Sequence, residues 1–283
     1  MDLDNKLKNL PHIYYTNLDN RVDRREYMES QFKKWNITNF TRISGTKYLA
    51  SEVDKWRHLV DGDIYLFGHH PAVTGNAMTH VELFVDWLEN TDDELMILME
   101  DDIDLELIQY WHFDWDYLMK HIPYDWDCIQ LGFESQTIVK FFLHPKLPFR
   151  TYFGPCMLNR RYVQKLVDLH YSNGRFLFNK QLNNYQILTE GGGISVDYFI
   201  CENGRTYCLP LLTVNNDLGS YETNVPNIID HHVKCRAMYY DFWRHGRDLF
   251  SLEEFFVYNK PNDDQMTKRV DERDFFTQFP HVE

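Results

Sequence analysis

Five apolar residues at positions 95–99 are followed without a break by the acidic residues Glu100, Asp101 and Asp102. A continuous apolar run of this length is typical of a strand buried on both faces, as in a parallel sheet covered by helices. Further strand-like segments alternate along the chain with segments whose apolar residues recur at helical spacing. The sequence therefore predicts an α/β fold, with a mostly parallel sheet flanked by helices.

The predicted elements cover most of the first 214 residues. Strands are expected at 12–18, 40–43, 95–99, 128–132, 151–158 and 206–214, and helices at 21–35, 75–90, 105–121 and 160–169. Thr74 is the expected N-cap of the second helix. Beyond residue 215 the chain is rich in Asp, Asn and His, which is typical of loops. We expect a catalytic domain over 1–214 and a loop-rich C-terminal section, 215–283, packed on the same domain.

The three carboxylates come where the buried strand is predicted to end. Ligands of open α/β sheets bind outside the carboxyl ends of the strands. Adjacent carboxylates repel one another unless a cation or hydrogen bonds compensate, and a hard divalent ion takes oxygen ligands. Because residues two apart in a strand share a face, Glu100 and Asp102 are the expected metal ligands, with Asp101 on the other face. A solvated acidic turn is the competing interpretation.

Composition narrows the classes of partner. The net charge of −14 disfavours nucleic-acid binding, so phosphates in a ligand would need a local cation. Aromatic residues make up 16% of the chain, which suits stacking against sugar rings. The five cysteines form no CxxC pair, which favours a reducing compartment. With neither a signal peptide nor an apolar run of about 20 residues, we expect a soluble cytoplasmic protein.

Three segments in order resemble glycosyltransferase family 25, which includes lipooligosaccharide and collagen hydroxylysine galactosyltransferases. They are NLDNRVDRR at 17–25, GNAMTH at 75–80 and MILMEDD at 96–102. They are similar to the family's "INLDRRxDR", "GCxxSH" and "EDD" segments, and the similarity is looser over 154–169. Asn76 and Thr79 replace the family's Cys and Ser, and the region 47–71 is longer than expected for the family. These differences concern the identity of the acceptor more than the chemistry.

The resemblance implies a GT-A-like, Rossmann-type sheet and a metal-assisted hexosyltransferase. Such an enzyme moves galactose or glucose from a UDP-sugar, with inversion, to a glycan or another hydroxyl acceptor, as in lipopolysaccharide biosynthesis. Mn²⁺ or Mg²⁺ would stabilise charge on the departing UDP. The expected metal ligands remain Glu100 and Asp102.

The same resemblance suggests roles for seven residues other than the expected metal ligands. Donor binding is expected at Asn17, Asp19, Arg21, Arg24 and Asp101, and catalysis at His80 and Asp197. Asp197 is the candidate general base, because inverting transfer requires one. Simpler interpretations stay open: turn and capping roles for Asn17 and Asp19, salt bridges of the arginines with Asp23 or Glu26, a structural His80 and an ordinary loop aspartate at 197.

Two interpretations from other classes remain. His112, Phe113 and Asp114 match the HxD element of Fe(II)/2-oxoglutarate oxygenases, with His231 or His232 as a distant third ligand. Those enzymes are β-barrels, however, whereas this chain alternates strands and helices. The second alternative is a non-catalytic carbohydrate-binding protein on the same fold, in which the acids are structural.

Overall fold

A computed structural model describes residues 6–61, 71–135, 138–146, 154–178, 196–219, 226–256 and 267–269. Eight α-helices lie in these ranges: α1 Val22–Lys34, α2 Val53–Trp56, α3 Pro71–Asn90, α4 Trp115–His121, α5 Arg160–His170, α6 Val196–Cys201, α7 Pro226–Asp241 and α8 Leu252–Phe256. The strands are β1 His12–Asn17, β2 Phe40–Ser44, β3 Val60–Asp61, β4 Leu95–Glu100, β5 Ile103–Asp104, β6 Cys128–Gln130, β7 Ile138–Lys140, β8 His144–Pro145, β9 Cys156–Asn159, β10 Tyr171–Ser172, β11 Arg175–Leu177, β12 Thr206–Cys208, β13 Thr213–Val214 and β14 Thr267–Arg269.

Seven strands form the central sheet, in the order β2-β1-β4-β9-β6-β12-β8. β1 pairs in parallel with both β2 and β4, and β12 pairs in parallel with β6. β9 lies antiparallel between β4 and β6, and β8 is an antiparallel edge strand. Five of the seven strands thus share one direction, which confirms the predicted mixed α/β class with a mostly parallel sheet.

Helices cover both faces of this sheet, as the apolar run at 95–99 predicts. Alternate residues of β4 enter two separate cores. Ile97 and Met99 pack on the face covered by α1, α4, α7 and α8, while Met96 and Leu98 pack on the face covered by α3, α5 and α6. All four of these side chains are buried. The strand therefore holds its carboxyl end, and the acids that follow, in a fixed position between two packed layers.

The predicted helix over 105–121 is wrong, because two separate elements occupy that range. A short 3-10 helix covers Glu106–Tyr110, and α4 begins only at Trp115. The Lys6 ammonium ends the first element by donating to the carbonyl oxygens of Ile108 and Gln109, at 3.0 and 2.9 Å. Asp114 starts the second as its N-cap, accepting from the Tyr117 amide at 2.7 Å.

Three other predicted boundaries shift. α3 begins at Pro71, so Thr74 lies inside the helix and is not its N-cap. The strand expected at 151–158 is β9, with residues 151–153 outside the described part of the chain. The extended segment expected at 206–214 consists of two short strands, β12 and β13.

The loop-rich C-terminal section is also a wrong prediction for the residues that are described. α7 has 16 residues and is followed by a π-turn over Phe242–Gly246. Cys235, Met238, Tyr239 and Phe242 are spaced so that they share one helical face, and all four enter the core. The polar composition of the other faces hid this narrow apolar stripe in the sequence.

None of the helices in the described ranges has the length and apolar character needed to cross a membrane.

Candidate functional site

A pocket opens at the carboxyl ends of β1 and β4, where the acidic residues follow the buried strand. The start of α1, the segment after β2 and the first turns of α3 complete its walls. The lining residues are Thr16, Asn17, Leu18, Arg21, Arg24, Gly45, Tyr48, Leu49, Ala50, Ser51, Ala72, Gly75, Asn76, Thr79, Glu100, Asp101 and Asp102. The three sequence segments 17–25, 75–80 and 96–102 therefore meet around one cavity.

Close packing of α3 against the 3-10 turn Gly45–Tyr48 shapes one wall of the pocket. A Cβ added at Gly75 would lie 2.1 Å from the carbonyl oxygen of Tyr48, which no side chain can tolerate. The absence of a side chain at Gly75 is thus the condition for this helix to approach the turn. Asn76, the next residue, then faces the cavity.

Asp101 is buried and its carboxylate is held on both sides. The side-chain amide of Asn17 donates to Oδ2 at 2.7 Å, and Arg24 Nη1 donates to Oδ1 at 2.6 Å. Arg42 Nε in turn donates to Asn17 Oδ1 at 2.8 Å, which fixes the orientation of the amide. Asn17 and Asp101 therefore organise the pocket floor, with most of their hydrogen-bonding capacity committed to the protein.

Asp102 is the acid with unused capacity. Arg24 Nη1 lies 3.2 Å from Oδ2, whereas the buried Oδ1 has no hydrogen-bond partner among the described residues. Burial raises the pKa of this carboxyl to about 6, and Asp101 and Glu134 act in the same direction, while Arg24 and His232 oppose the shift. A buried carboxylate oxygen without a partner is costly, so a cation or a donor from a ligand would be stabilised here.

Glu100 is the last residue of β4 and accepts a hydrogen bond from Asn76 Nδ2 at 3.3 Å. The expectation that Asp101 faces away from Glu100 and Asp102 is wrong. β4 ends at Glu100 and the chain turns at 101–102, so the strand alternation stops and all three acids line the same cavity.

The two arginines at the start of α1 serve different partners. Arg21 donates to Asp23 at 2.8 Å, which is the predicted salt bridge, and to the carbonyl oxygen of Leu218 at 2.7 Å. Arg24 binds both Asp101 and Asp102 and also donates to the carbonyl oxygen of Gly219. Both side chains line the pocket, and both tie the C-terminal section to its rim.

Asp19 lies outside the pocket lining. Its carboxylate pairs with Arg42 and accepts a hydrogen bond from Ser44 Oγ at 2.9 Å. These two hydrogen bonds lower the pKa of Asp19. Asp19 therefore joins the ends of β1 and β2 in this structure. This is the turn role that the sequence analysis gave as the alternative to donor binding.

His80, one of the two predicted catalytic residues, is not among the residues that line the cavity. His80 is fully buried below it, with Nδ1 donating to the carbonyl oxygen of Asn76 at 2.8 Å. Burial lowers the pKa of His80 to about 4, so the ring is neutral at pH 7. Asp197 lies in α6, but its side chain lies outside the described part of the molecule, so its role as general base stays a prediction.

Of the three acids, Asp101 is held by Asn17 and Arg24, so Glu100 and Asp102 are the carboxylates that would hold a divalent ion. In the described ranges, no group of three His, Cys, Asp or Glu side chains is arranged to hold a metal. Mg²⁺ and similar ions, however, are commonly bound by one or two carboxylates together with substrate phosphates and water. The partnerless oxygen of Asp102 and the neighbouring Glu100 suit that mode of binding.

Among the described side chains, which do not include that of His231, the oxygenase motif is not assembled as a facial triad. Asp114 is committed as the N-cap of α4, and Phe113 is buried in the core. His112 is partly exposed and lies 3.5 Å from Asp248. His232, one of the suggested third ligands, instead contacts Glu134 at 2.8 Å. The geometry of these residues therefore gives no support to that alternative.

Sequence reasoning missed the pair formed by Glu134 and His232. Glu134 follows β6 just as the acids follow β4, and β6 and β4 run in the same direction. Its position after a predicted strand was the signal by which Glu134 could have been recognised as a site residue. The partner histidine comes from α7, which the sequence did not predict, so the pair could not be recognised.

No family model and no curated protein matches the chain. Among solved structures, the crystal structure of A197 from STIV is similar, with a TM-score of 0.38 and 11% sequence identity. That similarity covers 72% of this chain and 84% of A197. The function is therefore argued from the residues of this chain.

Proposed function

We propose that the chain is a glycosyltransferase that moves a hexose, galactose or glucose, from a UDP-sugar to a hydroxyl group of a glycan or another acceptor. The observation that carries the proposal is Asp102, which lies in a pocket at the carboxyl ends of parallel strands and has one buried carboxylate oxygen with no partner among the described residues. The resemblance of the three pocket segments to family 25 supports the nucleotide-sugar donor.

The charges of the pocket suit a diphosphate held through a cation. Glu100 and Asp102 would hold Mn²⁺ or Mg²⁺, and the ion supplies Lewis-acid stabilisation of the leaving diphosphate when bound. Arg21 and Arg24 line the same cavity, and their guanidinium groups would meet the phosphate oxygens. The first turns of α3 also line the cavity, and the N-terminus of a helix favours an anion.

The remaining residues of the pocket suit the nucleoside and the sugar. Leu18, Leu49 and Ala50 present apolar surface, and Ser51, Asn76 and Thr79 add polar groups that can fix orientation. One polar group can separate galactose from glucose, because the two sugars differ in the direction of a single hydroxyl.

Thermal shift and donor hydrolysis with a panel of UDP-sugars, with and without Mn²⁺, test the proposal. A UDP-sugar at about 100 times its Kd should stabilise the protein by about 2.7 kcal/mol, only with metal present. Asp102→Ala should abolish the metal-dependent shift and the hydrolysis. Asp54→Ala, at an exposed carboxylate outside the pocket, is the matched control and should behave as wild type.

Two results would contradict the assignment. Unchanged metal affinity and turnover in Asp102→Ala would remove Asp102 from the metal site. Binding of UDP-sugars without turnover, with or without added hydroxyl acceptors, would favour the non-catalytic carbohydrate-binding alternative.

A further inference from the structure

Glu134 and His232 form a carboxylate–imidazole pair between the end of β6 and α7. Glu134 is buried, and its Oε2 lies 2.8 Å from Nδ1 of His232. The His232 ring is part-exposed, with 28% of its side chain accessible. A carboxylate enclosed by protein thus holds a partly exposed imidazole.

The contacts of α7 place this pair near the acids of the pocket. Arg236, four residues after His232 and on the same helical face, donates to Asp104 Oδ2 at 3.0 Å. Tyr240, one turn further on, donates to the same carboxylate at 2.8 Å. α7 therefore packs against the segment that carries Asp104, and His232 lies one helical turn before Arg236.

One further contact holds α7 in this position, and a second holds the chain that precedes it. Cys235 Sγ donates to the carbonyl oxygen of Ser135, at 3.2 Å, so α7 is bound to the loop that carries Glu134. The amide of Asn215 donates to the carbonyl oxygen of Asp102 at 2.7 Å, which joins the C-terminal section to the pocket wall. The electrostatic effect of His232 and Glu134 on Asp102 agrees with this proximity.

The arrangement sets the tautomer of His232. A carboxylate accepts the proton of Nδ1–H, which leaves the lone pair on Nε2 as the basic site of the neutral ring. The same carboxylate stabilises the imidazolium that forms when Nε2 takes up a proton. This is the chemistry required of a general base. Neither His232 nor Glu134 is one of the expected metal ligands.

We propose that His232, oriented by Glu134, is the general base that activates the acceptor hydroxyl. This inference rests on the proposed glycosyltransferase function. Nε2 takes the proton of the hydroxyl while its oxygen bonds to the anomeric carbon. The bond from that carbon to the diphosphate oxygen breaks, and the nucleoside diphosphate leaves with the electron pair. The imidazolium then releases its proton to solvent. His232 is the catalytic residue, and Glu134 is a positioning residue.

Hydrolysis of UDP-galactose and UDP-glucose with Mn²⁺, in which water is the acceptor, tests the role of His232. His232→Ala should lower kcat by about 10²-fold or more and leave KM for the UDP-sugar unchanged. Imidazole added to the buffer should restore part of the lost rate. Glu134→Gln should lower kcat by as much as about 10²-fold, because the amide does not stabilise the imidazolium and can hold the ring in the wrong tautomer.

His245 provides the matched control. It is exposed and has its own carboxylate partner, with Nδ1 lying 3.1 Å from Asp241 Oδ1, but it lies in the turn after α7, away from the pocket acids. His245→Ala should therefore keep the wild-type rate. UDP should raise the melting temperature of the His232→Ala and Glu134→Gln proteins as much as that of wild type.

The possible results separate the two proposals. If wild type hydrolyses a UDP-sugar and His232→Ala does so equally well, the base assignment is overturned and the transferase proposal stands. A loss of UDP binding that parallels the loss of rate, with no rescue by imidazole, also overturns it, since that is the pattern of a structural residue. If wild type neither binds nor hydrolyses any UDP-sugar, the proposed function is overturned together with this inference.

Discussion

His80 donates its Nδ1 proton to the backbone of Asn76 inside α3, and its ring is fully buried. A buried imidazole resists protonation, because the charged form loses its hydration. Its pKa is lowered to about 4, against an ordinary value of 6.5. Asn76, which His80 holds, is the residue that reaches both the cavity and Glu100. At the residue scale, His80 supports the site by keeping the helix backbone in place.

The low pKa of His80 predicts a specific dependence of stability on acid. The unfolded chain binds a proton near pH 6.5 and the folded one only near pH 4, so the contribution of His80 to the free energy of unfolding is complete above pH 6.5 and is lost as pH falls toward 4. The loss is about 3 kcal/mol for a shift of this size. His80→Asn, which keeps a donor at the Nδ1 position, should be destabilised but should lack this part of the pH dependence.

Urea unfolding of wild type and His80→Asn at several pH values between 3.5 and 8 measures the effect. The stability difference between the two proteins should shrink as the pH is lowered through this window. A difference that stays constant would show that the imidazole titrates alike in the folded and unfolded chain, contrary to its burial.

At the scale of elements, the pocket depends on how closely α3 lies against the 3-10 turn Gly45–Tyr48. Gly75 allows this contact, and the same turn of α3 supplies Asn76 and Thr79 to the cavity. The turn itself is held by its own cap, with Ser44 Oγ accepting from the Thr46 amide at 3.3 Å. The neighbours of Gly75 are backbone atoms, which move less readily than a side chain.

Gly75→Ala should therefore cost about 1–3 kcal/mol of stability, the usual range for an overpacked core, despite the better helix propensity of Ala. It should also weaken UDP-sugar binding, because the wall formed by the turn must shift. Chemical denaturation and thermal shift with ligand give the two quantities. Gly246→Ala is the control: its Cβ would lie 3.4 Å from the Phe242 ring, an ordinary contact, so this variant should stay near wild type. Equal stability of the two variants would contradict the packing argument.

At the scale of the whole molecule, the elements around the pocket were predictable and the assembly was not. β1, α1, β4 and α5 have strong local patterns, and their observed bounds lie within about one residue of the prediction. The position of β9 between β4 and β6 depends on contacts between distant segments, which a local pattern does not encode. The pocket acids were foreseen because they follow a buried strand, whereas Glu134 and His232 required knowledge of where α7 packs.

α7 also determines how the molecule should unfold. Phe242 follows α7 and stacks on Phe141 with ring centroids 4.5 Å apart, in the same core as Ile97 and Met99 of β4. Residues 226–256 thus complete one face of the central sheet and do not form a core of their own. The C-terminal section and the sheet should therefore unfold together in a single transition.

Phe242→Ala tests whether the two parts unfold cooperatively, because it removes a buried ring that joins the C-terminal section to the sheet. We expect it to lower the free energy of unfolding by about 3–5 kcal/mol and to move the whole calorimetric transition to lower temperature. Val233→Ala, at an exposed position of α7, should change stability by no more than about 0.5 kcal/mol. If the C-terminal section were an independent unit, Phe242→Ala would instead split the transition or shift only a minor part of it. A single shifted transition would mean that a change that loosens α7, which carries His232, also loosens the sheet whose strand β4 leads to Asp102.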